Sequence, residues 1–269
     1  MAPIIEPFGP LVDEVALKEA PLVRVLAQVR FPELASIAQA EFVGPFQEAI
    51  RADYPILRKH HEIGLLFTPE GVTQTPTPQA GLIWRFADRD GIWQVSLAPA
   101  FVSLETKSYS GEQEFIGRLG KVLTALSAVG APIIFDRFGL RYVNRLPATN
   151  LDDLRGFVNR EALGLVASHT FPDGVALQHS FSETRFELKD RGTLLARWGY
   201  LPPDVALDPT LEPATETSWL LDLDMSISGP LEFAPENIVS LAKDFHGAIY
   251  RFFRWAATDK LLAARGGKV

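Results

Sequence analysis

Arginines recur at every fourth position of DRFGLRYVNR, a strand-like segment near the middle of the 269-residue chain. Alternate residues of a strand share a face, so Arg137, Arg141 and Arg145 would form one row, with Tyr142 and Asn144 on the other face. Such a row can bind an anionic ligand or a nucleic-acid backbone through paired hydrogen bonds. The alternative is a ladder of charges across neighbouring strands. Its candidate acidic members are Glu183, Glu187, Asp222 and Asp224.

Two acidic residues and one histidine are the remaining candidates for chemistry. Asp222 and Asp224 would share one face of a strand, where they could hold Mg²⁺ or act as acid and base, or could simply form its polar side. His246 borders the apolar stripe of a predicted C-terminal helix. It could contact a ligand or shuttle a proton, or it could hydrogen-bond a neighbouring carbonyl or carboxylate.

Several established kinds of site are absent from the sequence. Without cysteine there is no disulfide, thiolate zinc site or cysteine nucleophile. No GxxxxGK[ST], strand-to-helix GxGxxG, HExxH or GxSxG motif occurs, although a serine triad is defined by geometry rather than by order. His60 and His61 are adjacent and would point to opposite faces of a strand. We therefore predict no metal and no cofactor, and we favour a non-enzymatic protein while leaving enzyme activity open.

The composition predicts a folded protein with a large core, since 47% of residues are hydrophobic and 22% are charged. A net charge of -7 and a pI near 5.3 disfavour binding to nucleic acid or anionic lipid. Charges or prolines interrupt every apolar run before the roughly 20 residues that span a bilayer. The first residues lack the basic region of a secretory signal, so we expect no membrane association and a soluble, cytoplasmic protein.

The first half begins with an extended arm and a strand over 22–31. Residues 35–53 are predicted to form two short helical pieces divided at Gly44 and Pro45. A helix over about 112–129 follows from apolar spacing of three and four, with a capping box at Ser110 and Gln113. Between these helices, an antiparallel meander is predicted from three strand-like runs, 63–68, 82–87 and 92–107.

The second half repeats this order of elements. A strand over 133–146 precedes a short helix after Asn150, and a long helix over about 235–263 carries the apolar residues Ile238, Phe245, Ile249 and Phe252 on one stripe. The segment 204–218 is predicted to be a surface loop. Four strand-like stretches lie between the two helices, near 175–181, 184–188, 194–200 and 219–227.

These elements predict an α+β fold of antiparallel sheets packed by long helices. We divide the chain into an extended N-terminal arm, 1–20, a first β-α-βββ-α half, 21–131, and a second β-α-β(3-4)-α half, 132–269. The order resembles the duplicated saddle fold of TATA-box-binding proteins and, in each half, the helix-grip fold. This resemblance implies a pseudo-repeat of topology rather than of residue identity.

Five segments, in this order, resemble a sporadically distributed family of mostly bacterial proteins of unknown function. The family has an RYVNR-type central strand and a C-terminal helix of the type FHxxIxxxFxxxxTDxL. The resemblance covers most of the chain except 150–217, and it implies a shared fold but no particular activity. The matching segments are APLVRVLAQVRFPEL, VSLETKSYSGEQEFIGRL, DRFGLRYVNRL, LDLDMSI and DFHGAIYRFFRWAATDKL.

Taken together, the residues favour a non-enzymatic ligand-binding or protein-interaction module. Its expected partner is a small anionic ligand or a protein, with homodimerisation as a further expectation. One alternative is nucleic-acid binding on a concave sheet, which the net charge disfavours. Another is a hydrolase that uses carboxylates and histidine, which requires Asp222, Asp224 and His246 to meet in one cleft. The candidate ligand-binding residues are Arg137, Arg141, Tyr142, Asn144, Arg145 and His246.

Overall fold

The computed structural model describes residues 9, 13–61, 64–68, 71–75, 81–130, 132–148, 151–167, 172–205 and 211–268. For residues 61, 64–68, 71–75 and 153 it describes the backbone alone. Parts of the predicted strand 63–68 and of the predicted loop 204–218 therefore lie outside the described residues.

The strands of the described chain occupy both halves of the sequence. They are β1 (Leu22–Arg30), β2 (Ile56–His61), β3 (Gly64–Thr68), β4 (Gly71–Thr75), β5 (Leu82–Ala87), β6 (Trp93–Ala98), β7 (Phe101–Thr106), β8 (Ile134–Pro147), β9 (Ser180–Leu188), β10 (Gly192–Leu201) and β11 (Ser218–Glu232).

The helices fall between and after these strands. They are α1 (Ala40–Ile50), α2 (Glu112–Ala128), α3 (Leu151–Phe157), α4 (Arg160–Leu163), α5 (Pro235–Ala256) and α6 (Asp259–Ala264), with short 3₁₀ helices at Ala35–Ala38 and Gly164–Ala167. No helix among the described residues is both long enough and apolar enough to cross a bilayer.

Nine of these strands form one antiparallel sheet in the order β2-β5-β6-β7-β1-β8-β11-β10-β9. Strands β3 and β4 form a separate two-stranded sheet. The predicted α+β class with an antiparallel sheet is confirmed. Strand β9 is at one end of the nine-strand order, which leaves it with a single neighbouring strand.

The chain groups into two compact units. Unit 1 comprises Met1–Val25, Leu140–Ser226 and Lys243–Val269, and unit 2 comprises Leu26–Gly139 and Ile227–Ala242. The chain passes from one unit to the other within β1, β8, β11 and α5.

The core of unit 2 is built from aromatic side chains of two helices and the meander. Phe46 of α1 packs edge-on against Phe86 of β5, with ring centroids 5.6 Å apart. Phe115 of α2 lies 5.8 Å from Trp93 of β6, whose ring also carries the Arg118 guanidinium at 4.5 Å. The apolar face predicted for α2 is buried, so periodicity located this helix correctly.

The core of unit 1 forms where α5 covers the sheet. Phe245, Ile249 and Phe252 are fully buried, as their helical spacing predicted. The Phe252 ring lies 5.9 Å from Phe186 of β9 and 5.9 Å from Trp198 of β10. The helix is therefore held by the last two strands of the sheet.

One predicted helix end and one predicted capping motif were wrong. The long C-terminal helix ends at Ala256 rather than near 263, because Thr258 starts α6 by accepting a hydrogen bond from the N–H of Leu261 at 3.3 Å. The capping box at Ser110 does not form. Gly111 is the N-cap of α2, and the Ser110 hydroxyl bonds the Glu114 carboxylate instead.

Several local predictions in the first half were also wrong. The run 92–107 is a hairpin of β6 and β7, since Pro99 lacks the N–H that a continuous strand would use. The break predicted at Gly44 and Pro45 lies at Gln39 instead, and α1 continues through Pro45. Strands β2 and β4 were not predicted. In the second half, the stretch predicted near 175–181 becomes strand only from Ser180.

Candidate functional site

Strand β8 carries most of the predicted site residues. Its alternation places Arg141, Val143 and Arg145 on one face and Tyr142 and Asn144 on the face covered by α5. All five lie in unit 1. Arg137, also on β8, lies in unit 2.

Arg141 is part of a buried cluster of charges. Its Nε and Nη2 donate to the two carboxylate oxygens of Asp222 at 2.7 and 2.8 Å. Arg197, the cross-strand neighbour of Asp222, donates to the same carboxylate at 2.6 Å. Asp222 is 1% exposed and Arg141 12%. These are the bidentate, charge-assisted bonds that a desolvated carboxylate requires, so Arg141 has a structural partner.

His246 lies on the other face of β8, where it links α5 to the strand and to the N-terminal arm. Its Nδ1 is 3.0 Å from the Tyr142 hydroxyl, and its Nε2 is 3.6 Å from a carboxylate oxygen of Glu14. The Tyr142 contact is within hydrogen-bond distance, whereas the Glu14 contact is longer than a hydrogen bond and is an electrostatic contact. The polar contact with His246 lowers the pKa of Glu14, while burial opposes this shift.

Tyr250 lies one helical turn after His246, and the two rings stack with centroids 6.1 Å apart. The Tyr250 hydroxyl accepts from the N–H of Val15 at 2.7 Å and donates to the carbonyl oxygen of Asp13 at 3.3 Å. The side chains of α5 thus hold residues 13–15 of the predicted arm. His246 and Tyr250 therefore attach the arm to the helix.

The remaining two candidates on β8 have different surroundings. Asn144 is buried, and its Nδ2 donates to the carbonyl oxygen of Leu221 at 3.3 Å. Arg145 is half-buried and donates to the carbonyl oxygen of Glu212 at 2.9 Å, while its Nε is buried without a hydrogen-bond partner among the described residues. Burial lowers the pKa of Arg145, and the charge of Glu212 opposes that shift.

The structure brings Tyr142 and His246 together but keeps Asp222 apart from them. Asp222 and Arg141 lie on one face of the sheet, and Tyr142, which bonds His246, lies on the other. Asp224 shares the face of Asp222 and lies in register with Leu195. The three residues of the suggested hydrolase therefore do not converge.

Sequence reasoning missed Arg197 and the pattern of charges along β9. Glu183, Arg185 and Glu187 are exposed on the face that also carries Arg197 and Asp222, and Lys189 follows in the turn. Glu183 lies opposite Arg197 and Glu187 opposite Thr193, both on β10. Two strands separate β9 from β8, so these two glutamates do not form the predicted charge ladder with the arginines of β8, whereas Asp222 does. The alternating sequence ETRFELK was the available signal.

No family model matches the chain, and no curated protein matches its sequence significantly.

Proposed function

We propose that the protein is a non-enzymatic protein-interaction module that binds an extended partner segment along strand β9. The observation that carries this proposal is that β9 is a terminal strand of the sheet, with a neighbouring strand on one side alone among the described residues. The strand is nine residues long, and it exposes alternating charged side chains beside an outer edge with no paired strand among the described residues. Strand addition at such an edge is a recurring mode of peptide recognition.

The backbone of β9 supports this proposal. Its one neighbour in the described sheet is β10, paired from Ser180 to Leu188. None of the described backbone hydrogen bonds outside the ladders involves residues 181–187. Half of the N–H and C=O groups of an edge strand point away from the sheet, so they are available to a partner strand.

The charged side chains of β9 and of the turn that follows it support the proposal further. Glu183, Arg185, Glu187 and Lys189 form no salt bridge or side-chain hydrogen bond within the described chain. By contrast, two candidate site residues away from this edge have internal partners. Arg141 pairs with Asp222, and His246 contacts Tyr142 and Glu14. Arg141 and His246 thus stabilise the folded chain, and the charged residues without described partners lie at the β9 edge of the sheet.

The test is a selection of extended peptides from a random library against the wild-type chain and against Thr184→Lys. Thr184 is half-buried on the α5 side of β9, and a lysine there is a natural means of blocking an edge. We expect peptides that bind the wild-type chain at least about tenfold more tightly than the variant. If no peptide distinguishes the two proteins, the proposal fails.

A second candidate function is binding of a small anionic ligand at Arg145. The specific observation is that Arg145 donates to a backbone carbonyl oxygen, makes no salt bridge within the described residues, and has a buried Nε without a partner. Titration with inorganic phosphate and with citrate, followed by thermal shift, tests this candidate. A shift that is lost in Arg145→Ala supports it, and identical behaviour of both proteins removes it.

We also propose that the two halves of the chain are a pseudo-repeat with saddle-like topology. The strand order supports this, since each half places its first strand beside its last, β1 beside β7 and β8 beside β11. A homologue whose halves align residue by residue would test the duplication directly. Halves that align in no homologue would leave only a shared order of elements.

A further inference from the structure

The order of charges along β9 carries information about the partner. Glu183, Arg185, Glu187 and Lys189 alternate in sign as minus, plus, minus, plus, and the first three share one face of the strand. Phe186 is the midpoint of this set. Reading the strand backwards from Phe186 gives the opposite charge at every position, which is the condition for self-complementary antiparallel pairing.

We propose that β9 pairs with β9 of a second copy of this chain, antiparallel and centred on Phe186. This inference rests on the proposed function and names its partner. In this register Arg185 of each copy lies opposite Glu187 of the other, and Glu183 lies opposite Lys189. The twofold axis doubles each pair. The two pairs of Arg185 with Glu187 then lie on one face of the strand, and the two pairs of Glu183 with Lys189 lie where β9 ends at the turn.

Neighbouring registers of the same strand are less favourable. Centring on Arg185 places Arg185 opposite its own copy and Glu183 opposite Glu187, so every charged pair is repulsive. Centring on Thr184 retains the pair of Glu183 with Arg185 but places Glu187 opposite Phe181. Like charges directly opposite destabilise a sheet, which disfavours the register centred on Arg185. The register centred on Thr184 leaves Glu187 without a charged partner, so the register centred on Phe186 pairs the most charges.

The opposite face of β9 fits the same register. Phe186 is half-buried and packs on Phe252 of α5, with ring centroids 5.9 Å apart. On the twofold axis the two Phe186 side chains become cross-strand neighbours, beside Thr184 paired with Leu188. Aromatic pairs stabilise adjacent strands, so the apolar layer under α5 continues across the axis.

The first experiment measures dimer dissociation by sedimentation velocity over a range of protein concentrations. Arg185→Glu turns two attractive pairs into two repulsive pairs, and Glu187→Arg does the same with the opposite sign. We expect each change to weaken the dimer at least about tenfold. Lys243→Glu, at an exposed position on α5, makes the same change of charge as Arg185→Glu and is expected to leave the dimer unchanged.

Charge exchange separates specific pairing from general damage to the strand. An equimolar mixture of the Arg185→Glu and Glu187→Arg proteins restores both pairs across the axis, as does the double variant within one chain. We expect both samples to dimerise like the wild-type chain. Failure of restoration, or equal weakening by Lys243→Glu, would overturn the register.

The absence of cysteine allows an independent test of the axis. Directly opposed residues in an antiparallel pair have Cα atoms about 4.5 to 5.5 Å apart, so Phe186→Cys should form an intermolecular disulfide on oxidation. Ser182→Cys is the matched control, because its two copies would lie roughly 27 Å apart at about 3.4 Å per residue. Crosslinking of Ser182→Cys alone would place the axis elsewhere.

The peptide selection against the wild-type chain and Thr184→Lys distinguishes failure of the β9–β9 dimer from failure of the proposed interaction module. If the chain stays monomeric in sedimentation but binds peptides at β9, the second copy is the wrong partner and the interaction module stands. If the chain is monomeric and no peptide distinguishes Thr184→Lys, both proposals fail.

Discussion

Arg141 and Arg145 lie four residues apart on one face of β8, and their surroundings differ. Arg141→Ala leaves the buried Asp222 carboxylate with Arg197 as its remaining charged partner, so we expect a loss of about 3 kcal/mol in the free energy of unfolding. Arg145→Ala removes a bond to a carbonyl oxygen from a half-buried residue, with an expected loss of about 1 kcal/mol.

Urea unfolding of both variants measures this difference. Lys243→Ala is the control, because its exposed side chain on α5 has no described partner and its removal should change stability by less than about 0.5 kcal/mol. Equal losses for Arg141→Ala and Arg145→Ala would contradict the assignment of Asp222 as a structural partner.

Glu14 predicts a dependence of stability on pH. Its pKa is lowered in the folded protein, so its contribution is complete above the ordinary carboxyl pKa of about 4.3 and is lost as the pH falls through the lowered value. The side chain is partly exposed, which limits the contribution to less than about 1 kcal/mol.

The comparison is between the wild-type chain and Glu14→Gln. The wild-type chain should be more stable at neutral pH, and the difference should disappear as the medium is acidified. A difference that is constant from neutral to acidic pH would show that the carboxylate charge has no role in holding the arm.

Among the helices and strands, the packing of α5 on the sheet gives a direct prediction about stability. Phe252 is fully buried and contacts β9 and β10, so Phe252→Ala should cost about 3 to 5 kcal/mol. Phe253→Ala on the same helix is the control, since its half-exposed ring contacts Tyr250 and should cost less. Thermal unfolding measures both, and an unchanged melting temperature for Phe252→Ala would mean that the stripe does not pack on the sheet.

The success of sequence reasoning depended on how local the signal was. The stripes of α2 and α5 follow from spacing within one helix, and both helices were found. The hairpin at Pro99 and the cap at Gly111 depend on one or two residues, so a continuous strand and a capping box at Ser110 were predicted instead. Strand β2 carries ILRKHH, with too little apolar alternation to be recognised.

The candidate site shows the same limit. The possibility that Arg141 has an acidic partner across the sheet followed from the residue types, and Asp222 was among the candidates. Register cannot be read from one strand, so Arg197 was not identified although it shares the Asp222 carboxylate. The contact of His246 with Tyr142 also joins residues 104 positions apart, which no local pattern encodes.

At the scale of the whole molecule, the net charge of -7 predicts the response to nucleic acids. Labelled single-stranded and double-stranded DNA should show no binding at micromolar protein in fluorescence anisotropy, because few phosphates can be neutralised. Measurement at two salt concentrations provides the control. Binding that weakens steeply as salt rises would revive nucleic-acid recognition on the sheet.

The path of the chain between its two units has a consequence for inheritance. The chain changes unit four times, each time inside a strand or helix, so unit 1 is encoded by three separated stretches and unit 2 by two. A recombination event with a single breakpoint on each side cannot transfer either unit alone. Recombination can therefore transfer a complete unit only by exchanging the whole gene segment from the N-terminal arm to the end of α6. A crossover between β1 and α5 would combine parts of both units from one parent with parts of both units from the other.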